Sequence, residues 1–167
     1  MPSKQQSLIL GGLVTGLLST SYLGFINILC CAGVLAGALV AVWHYTSTNE
    51  LTLSGGQGAG MGVQAALLGW AVAFVLNFIL MSVGLRHDLA VAQWMMQNMG
   101  DSLQGPQLDA IEEQLNTPFG LGYYIKTTVA SLNGAIGIAL TALFGAIGGA
   151  IGAAVFKKGP AEDEVSV

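Results

Sequence analysis

"NGAIGIALTALFGAIGGAIGAAVFKK", Asn133 to Lys158, is the stretch whose reading decides the fold. It carries no charge until the closing pair Lys157 and Lys158. An α-helix rises about 1.5 Å per residue, so about 20 apolar residues cross about 30 Å of hydrocarbon. The run 133–156 is long enough. Small residues recur in it at spacing four. Gly137, Thr141, Gly145, Gly149 and Ala153 form one row, with Gly148 and Gly152 beside it. Spacing four keeps a row on one helix face. In lipid no hydrophobic force draws helices together, so small residues serve by letting backbones approach. The stretch predicts a membrane-spanning helix with two adjoining close-packing faces, one more than a single bundle obviously needs. A homo-oligomer joined through this helix is one reading of the extra face. A tightly packed monomer is the other.

The rest of the chain fits the same solvent. Of 167 residues only 8% are charged, and mean hydropathy is +0.68. Ordinary soluble domains carry about 25% charged residues. The net charge of −4 excludes the basic face a nucleic-acid partner needs. From Leu8 to Tyr45 there is no charged residue, enough for two spans and too much for one. A break at "GFIN", Gly24 to Asn27, gives helices over 8–23 and 28–45. A re-entrant hairpin is the competing reading of this pair. Trp43, His44 and Tyr45 then form an interfacial aromatic belt. A third span is predicted over 58–85. Small residues at spacing four recur in each span: Gly12 and Gly16, Gly33 and Gly37, Gly58 and Gly62, and Gly137, Gly145 and Gly149. These GxxxG rows, a glycine-zipper pattern, are the expected helix-packing residues. Asn27, Gln64, Asn77 and Asn133 are expected either to bond between helices or to line a polar path.

Between the third and last spans, 88–117 reads as an amphipathic helical segment. Leu89, Ala92, Met96, Met99 and Leu103 share one face. Pro106 suits the first turn of a second short helix, and Pro118 ends it. The last seven residues, 161–167, read as an acidic disordered tail after a single membrane domain spanning 1–160. Four crossings put both termini on one side. Lys4, Lys157 and Lys158 flank that side, against Arg86 and Lys126 on the other, so the termini are predicted to be cytoplasmic and 88–117 external.

Chemistry has few candidates. Cys30 and Cys31 are adjacent, without metal-ligand spacing, and no carboxylate lies within a span. No catalytic, metal or cofactor site is expected, and the chain is read as not an enzyme. "LSGGQ", Leu53 to Gln57, resembles the motif by which ABC-transporter ATPases present a helix N-terminus to ATP. Such domains also need a P-loop. The nearest stretch, "GLGYYIKT" at 120–127, has Ile125 where its second glycine must stand. No nucleotide is expected. Ser54 instead reads as a helix cap, with Gly55 and Gly56 bending the chain into the third helix.

Leu53, Ser54, Gly56 and Gln57, the following Gly62, "QWMMQNMG", "LDAIEEQL" and "GAAVFKK" together resemble a family of small bacterial four-helix integral membrane proteins known only as a domain of unknown function. The resemblance implies four spans in the bacterial cytoplasmic (inner) membrane and no reaction. The expected architecture is an all-α membrane protein. It has four transmembrane helices, the first two as a tight hairpin, and an external amphipathic segment before the last. The expected function is a non-enzymatic structural or accessory component that packs with itself or with partner membrane proteins. A small-solute transporter or pore-forming oligomer is the alternative.

Overall fold

The structure, a computed structural model, describes residues 3–21, 23, 27 and 31–162, apart from the side chains of Asp88 and Asp101. Seven α-helices occur among them: α1 (Gln5–Leu18), α2 (Ala32–Asn49), α3 (Gly55–Ser82), α4 (His87–Met99), α5 (Pro106–Asn116), α6 (Leu121–Thr128) and α7 (Leu132–Val155). A 3-10 turn, Gly100–Ser102, follows α4.

Helices α1, α2, α3 and α7 form an up-down-up-down bundle whose pairings are set by glycine. Gly11 lies against Gly37 and Ala41, and Gly37 against Thr15, so α1 and α2 run antiparallel. Gly12 meets Leu68 and Gly16 meets Val72, which makes α1 and α3 parallel. Gly58 faces Gly149 and Gly62 faces Gly145, so α3 and α7 are antiparallel. Gly148 lies against Leu35 and Ala38, and Gly152 against Val42, which seats α7 on α2. A Cβ at Gly58 would stand 2.5 Å from the Gly149 carbonyl oxygen, inside any real contact distance. Only glycine permits this backbone approach.

These contacts correct the reading of the last helix. Its first row, Gly145, Gly149 and Ala153, faces α3, and its second, Gly148 and Gly152, faces α2. Neither row is left for a second copy. Gly137 also departs from the expected row: among the described residues, a Cβ there would meet nothing within 4 Å.

The expected four spans are also corrected. Among the described residues, two helices are long and apolar enough to cross a membrane: α3, with 28 residues, and α7, with 24. Helix α1 has 14 residues, about 21 Å of rise. It stops at Leu18, short of the expected 23, because Ser19, Thr20 and Ser21 turn the chain. The Thr20 hydroxyl donates to the Leu17 carbonyl at 2.7 Å. Helix α2 begins at Ala32 rather than 28, behind Cys31 in a left-handed conformation. The Asn27 side chain accepts from the Gly33 amide at 2.9 Å and so serves as its cap. The helix continues through Thr46, Ser47, Thr48 and Asn49, a polar last turn. Of the expected "GFIN" break, Gly24, Phe25 and Ile26 lie outside the described residues, as do Cys30 and 163–167.

The helix α3 begins at Gly55, not 58, so Gly55 and Gly56 occupy its first turn rather than a bend before it. Ser54 and Gln57 form a reciprocal capping box: the Gln57 amide donates to Ser54 Oγ, and the Ser54 amide donates to Gln57 Oε1 at 2.8 Å. Such a cap contributes about 1 kcal/mol. At the opposite end, α4 and α5 close on a small core of Ala92, Leu103 and Ile111, with Met95, Met96, Leu108 and Leu115 around it. Gly84 and Gly105, both at positive φ, make the turns that start α4 and α5.

Candidate functional site

Two polar features stand at opposite ends of the bundle. The first is a vestibule at the α6 end. A cavity of about 520 Å³ opens between α3, α5 and α6 and is lined by Ser19, Ser21, Asn77, His87, Gln114 and Thr127 among others. A second cavity of about 230 Å³ reaches further in, to Thr15, Asn27, Trp70, Phe74 and Thr141. The two share Ser19, Asn77, Tyr124 and Thr128 as walls, so they lie in line.

Hydrogen bonds hold this wall in shape. Asn77 Oδ1 accepts from the Ser21 amide at 2.8 Å and the Ser21 hydroxyl at 2.6 Å. That joins the last turns of α3 to the chain just beyond α1. Asn27 Nδ2 donates to Ser19 Oγ at 3.0 Å, tying α1 to the start of α2. Tyr124 of α6 donates its hydroxyl to the Phe74 carbonyl at 2.9 Å and lays its ring 4.8 Å from that of Phe74. Burial pushes the Tyr124 hydroxyl above its ordinary pKa, against a smaller lowering by a bond to Thr128, so it stays a donor. Phe74 stacks on Trp70 at 5.7 Å, and Phe78 and Phe119 complete the aromatic cluster that fastens α6 to α3.

The vestibule is blind. Thr15 is its floor, only 1% exposed. Beyond it Gly11 lies against Gly37 and Ala41, and Ala38, Ala41, Ala65 and Ala66 are wholly buried. Among the described residues the Thr15 hydroxyl has no hydrogen-bond partner, and neither has His87 Nδ1.

Of the four expected polar residues, Asn27 and Asn77 meet at this site. Gln64 and Asn133 do not. Gln64 is exposed on the outer side of α3, and Asn133 is exposed beside a separate cavity with Lys126 and Glu113. Of the two expected roles, Asn27 and Asn77 bond between helices and line the pocket, while Gln64 and Asn133 stand apart from it. The aromatic cluster was not anticipated, although Trp70, Phe74 and Phe78 at spacing four carried the signal.

The second feature is a clamp at the end where the chain begins. Ala161 pairs in parallel with Thr52. The Thr52 amide donates to the Pro160 carbonyl at 2.8 Å, and the Glu162 amide donates to the Thr52 carbonyl at 3.0 Å. Gly159 packs on the Glu50 carbonyl so closely that a Cβ would collide with it. Glu50 itself adopts a left-handed conformation as α2 ends. This strap carries Glu162 into the bundle, where it is 2% exposed. Its carboxylate accepts from the Tyr45 hydroxyl at 2.6 Å and pairs with Lys4 Nζ at 2.9 Å. Burial alone would raise the Glu162 pKa. The Tyr45 bond, then the Lys4 bond and charge, outweigh it and hold the carboxyl below the ordinary range.

The clamp corrects two expectations. Residues 161 and 162 are ordered parts of the bundle rather than a disordered tail. Tyr45 is wholly buried instead of sitting in an aromatic belt, and His44 turns inward so that Nδ1 meets the Ser7 hydroxyl at 2.8 Å. Only Trp43 of the three is exposed. Among the described residues no three His, Cys, Asp or Glu side chains stand close enough to hold a metal.

No protein-family model, no curated protein and no solved structure matches the chain.

Proposed function

We propose that this chain is a non-enzymatic membrane protein of the bacterial inner membrane. Its four-helix bundle is embedded in lipid with both termini cytoplasmic, and it acts as an accessory component beside partner membrane proteins or further copies of itself. The observation that carries this reading is the bundle's outer coat. Ile9, Leu13 and Leu17 on α1, Val75 and Ile79 on α3, and Leu140, Leu143, Ile147 and Ile151 on α7 are all exposed. In water such a coat would aggregate, whereas in hydrocarbon it is matched to its solvent. The spanning window of each long helix is only 28% buried, unlike the core helix of a soluble protein. Helix α1 is too short to cross alone, so the hairpin would depend on α3 and α7 for its depth. The resemblance to the four-helix family supports the same reading.

Because the glycine rows are engaged within the chain, contact with a partner would use the outer aliphatic faces instead. Photo-crosslinkers at Leu143 and Ile147 test this in intact membranes. A discrete protein adduct is the expected product, and adducts with lipid alone would sink the accessory role.

A second reading, a small-solute transporter, is favoured by the vestibule. Its blind floor at Thr15 means that this conformation is closed toward the clamp end. Flux of solute from vesicles holding the protein tests this reading.

A further inference from the structure

We propose that the cavity between α5, α6 and the start of α7 binds a zwitterionic phospholipid headgroup, a phosphodiester bearing a primary ammonium, as in phosphatidylethanolamine. The site rests on the reading that the bundle is embedded in lipid, and it names the lipid class that this end of the bundle holds.

Three observations carry it. The first is paired charge. The cavity, of about 450 Å³, is lined by Glu113 and Gln114 of α5, Tyr123, Lys126 and Thr127 of α6, and Asn133 of α7. Glu113 and Lys126 thus border one space with opposite charges. Both are exposed, so a ligand can reach them. Among the described residues neither makes an ion pair. A simple cation or anion entering would be drawn by one and repelled by the other. A molecule carrying both charges answers both. Its phosphate oxygens accept from the Lys126 ammonium, and its own ammonium donates to the Glu113 carboxylate.

The second is the build of α6. Tyr124 is buried and anchors the helix on α3. Spacing four puts Leu121 with Ile125 on one flank and Tyr123 with Thr127 on another. Leu121 and Ile125 are exposed, while Tyr123 and Thr127 line the cavity. An apolar flank, a polar flank and a cation between them suit a helix lying in the membrane–water boundary, with its lysine at headgroup level. The exposed apolar row continues through Val129, Leu132 and Ile136 into α7. A lipid headed in the cavity therefore has an aliphatic surface for its acyl chains. A free zwitterion such as an amino acid would use the charges and leave that surface bare.

The third is the remaining wall chemistry. The Thr127 hydroxyl donates to the Tyr123 carbonyl at 2.9 Å, so its oxygen is left to accept. A primary ammonium has three N–H donors to share between that oxygen and Glu113. The trimethylated nitrogen of a choline headgroup has none. Asn133 is exposed and can give its amide N–H groups to the phosphate.

The test uses the full chain in detergent, offered phosphatidylethanolamine, phosphatidylcholine and phosphatidylglycerol with matched acyl chains and read by native mass spectrometry. Bound phosphatidylethanolamine should exceed each of the others by about threefold, the size of one exposed ion pair. Glu113→Gln should erase the preference over phosphatidylglycerol. Glu112→Gln, which removes the same charge from the same helix outside the cavity, should keep it. Lys126→Gln should lower retention of both lipids. All three side chains are exposed, so the variants keep the fold. Equal retention of another lipid class by the parent, or the same loss in Glu112→Gln as in Glu113→Gln, would overturn the proposal. So would displacement of the lipid by an equal concentration of glycerophosphoethanolamine, which would assign the cavity to a free zwitterion. Retention of none of the three lipids would overturn the membrane reading along with the site, whereas retention without preference overturns the site alone.

Discussion

The Tyr45 hydroxyl and the Glu162 carboxylate meet at 2.6 Å across 117 positions of sequence, deep inside the end of the bundle. Tyr45 is wholly buried and Glu162 nearly so, while Lys4 keeps a third of its side chain in solvent. The carboxylate is therefore the member that depends most on its partners. Glu162→Ala removes the carboxylate that accepts from the Tyr45 hydroxyl and pairs with Lys4, and should cost about 1.5–3 kcal/mol, the usual range for a bond to a charged group. Denaturant unfolding in detergent reads the change. Stability within error of the parent would mean that the clamp is ornamental.

The same carboxyl gives the clamp a pH dependence. Its folded pKa lies below the unfolded value of 4.5. A lowered carboxyl pKa contributes stability that is fully present above the unfolded value and is lost as pH falls through the folded one. The strap should thus stay closed at neutral pH and open on acidification below about 4.5, read as faster hydrogen exchange of the Thr52 and Glu162 amides that bond across it. Glu162→Gln should flatten this dependence. An unchanged acid response in that variant would assign it elsewhere.

Backbone contact at Gly159 offers a way to open the strap without touching charge. Gly159→Val would drive a side chain into the Glu50 carbonyl. Trypsin susceptibility at Lys157 and Lys158 should then rise at neutral pH, with the four helices retained by circular dichroism. Unchanged protection would show that the strap can slide to accommodate the valine.

The glycine rows make a paired prediction. Gly149→Leu places a side chain on the backbone of α3 at Gly58 and Gly62 and should cost about 3 kcal/mol or more by overpacking. Gly137→Leu, with nothing within 4 Å of its Cβ position among the described residues, should cost well under 1 kcal/mol. Measured side by side, equal losses at the two sites would contradict the bundle's registration. Because Gly149 faces α3 within the chain, its failure should appear as unfolding and not as dissociation of copies.

At the vestibule, Asn77→Leu removes the acceptor shared by the Ser21 amide and hydroxyl. Polar bonds between membrane helices contribute about 0.6–2 kcal/mol, and a loss in that range is expected. Hydrogen exchange of the Ser21 amide should rise along with it, and a protected amide in the variant would place its partner elsewhere.

How much of this was legible depended on whether the cause was local. The ends of α7 were readable because a long apolar run stops at a lysine pair, and Ser54 was readable as a helix cap, although α3 starts at Gly55 rather than at the expected 58. The glycine rows showed which helix faces pack, yet not against what. Two rows on α7 look like a surplus until α2 and α3 are both in place. The clamp was illegible for a different reason. Glu162 stands in an acidic stretch whose composition is that of a solvated tail, and nothing nearby marks one carboxylate as buried. Its partners are Lys4 and Tyr45, far along the chain, and the fold alone brings them together. Asn27 was visible as a turn residue, but its role as the cap of α2 required knowing that the helix waits until Ala32. Gln64 and Asn77 look alike in sequence, and only the rotation of α3 puts one outside and the other at the vestibule.

The clamp also imposes an order in time. Lys4 leaves the ribosome 158 residues ahead of Glu162, so the first helix must enter its place and wait there with its lysine unanswered. The glycine contacts can assemble pair by pair as each helix emerges, but the final lock is a late translational event. A nascent chain halted after α7 would hold all four bundle helices and still lack the residue that closes them.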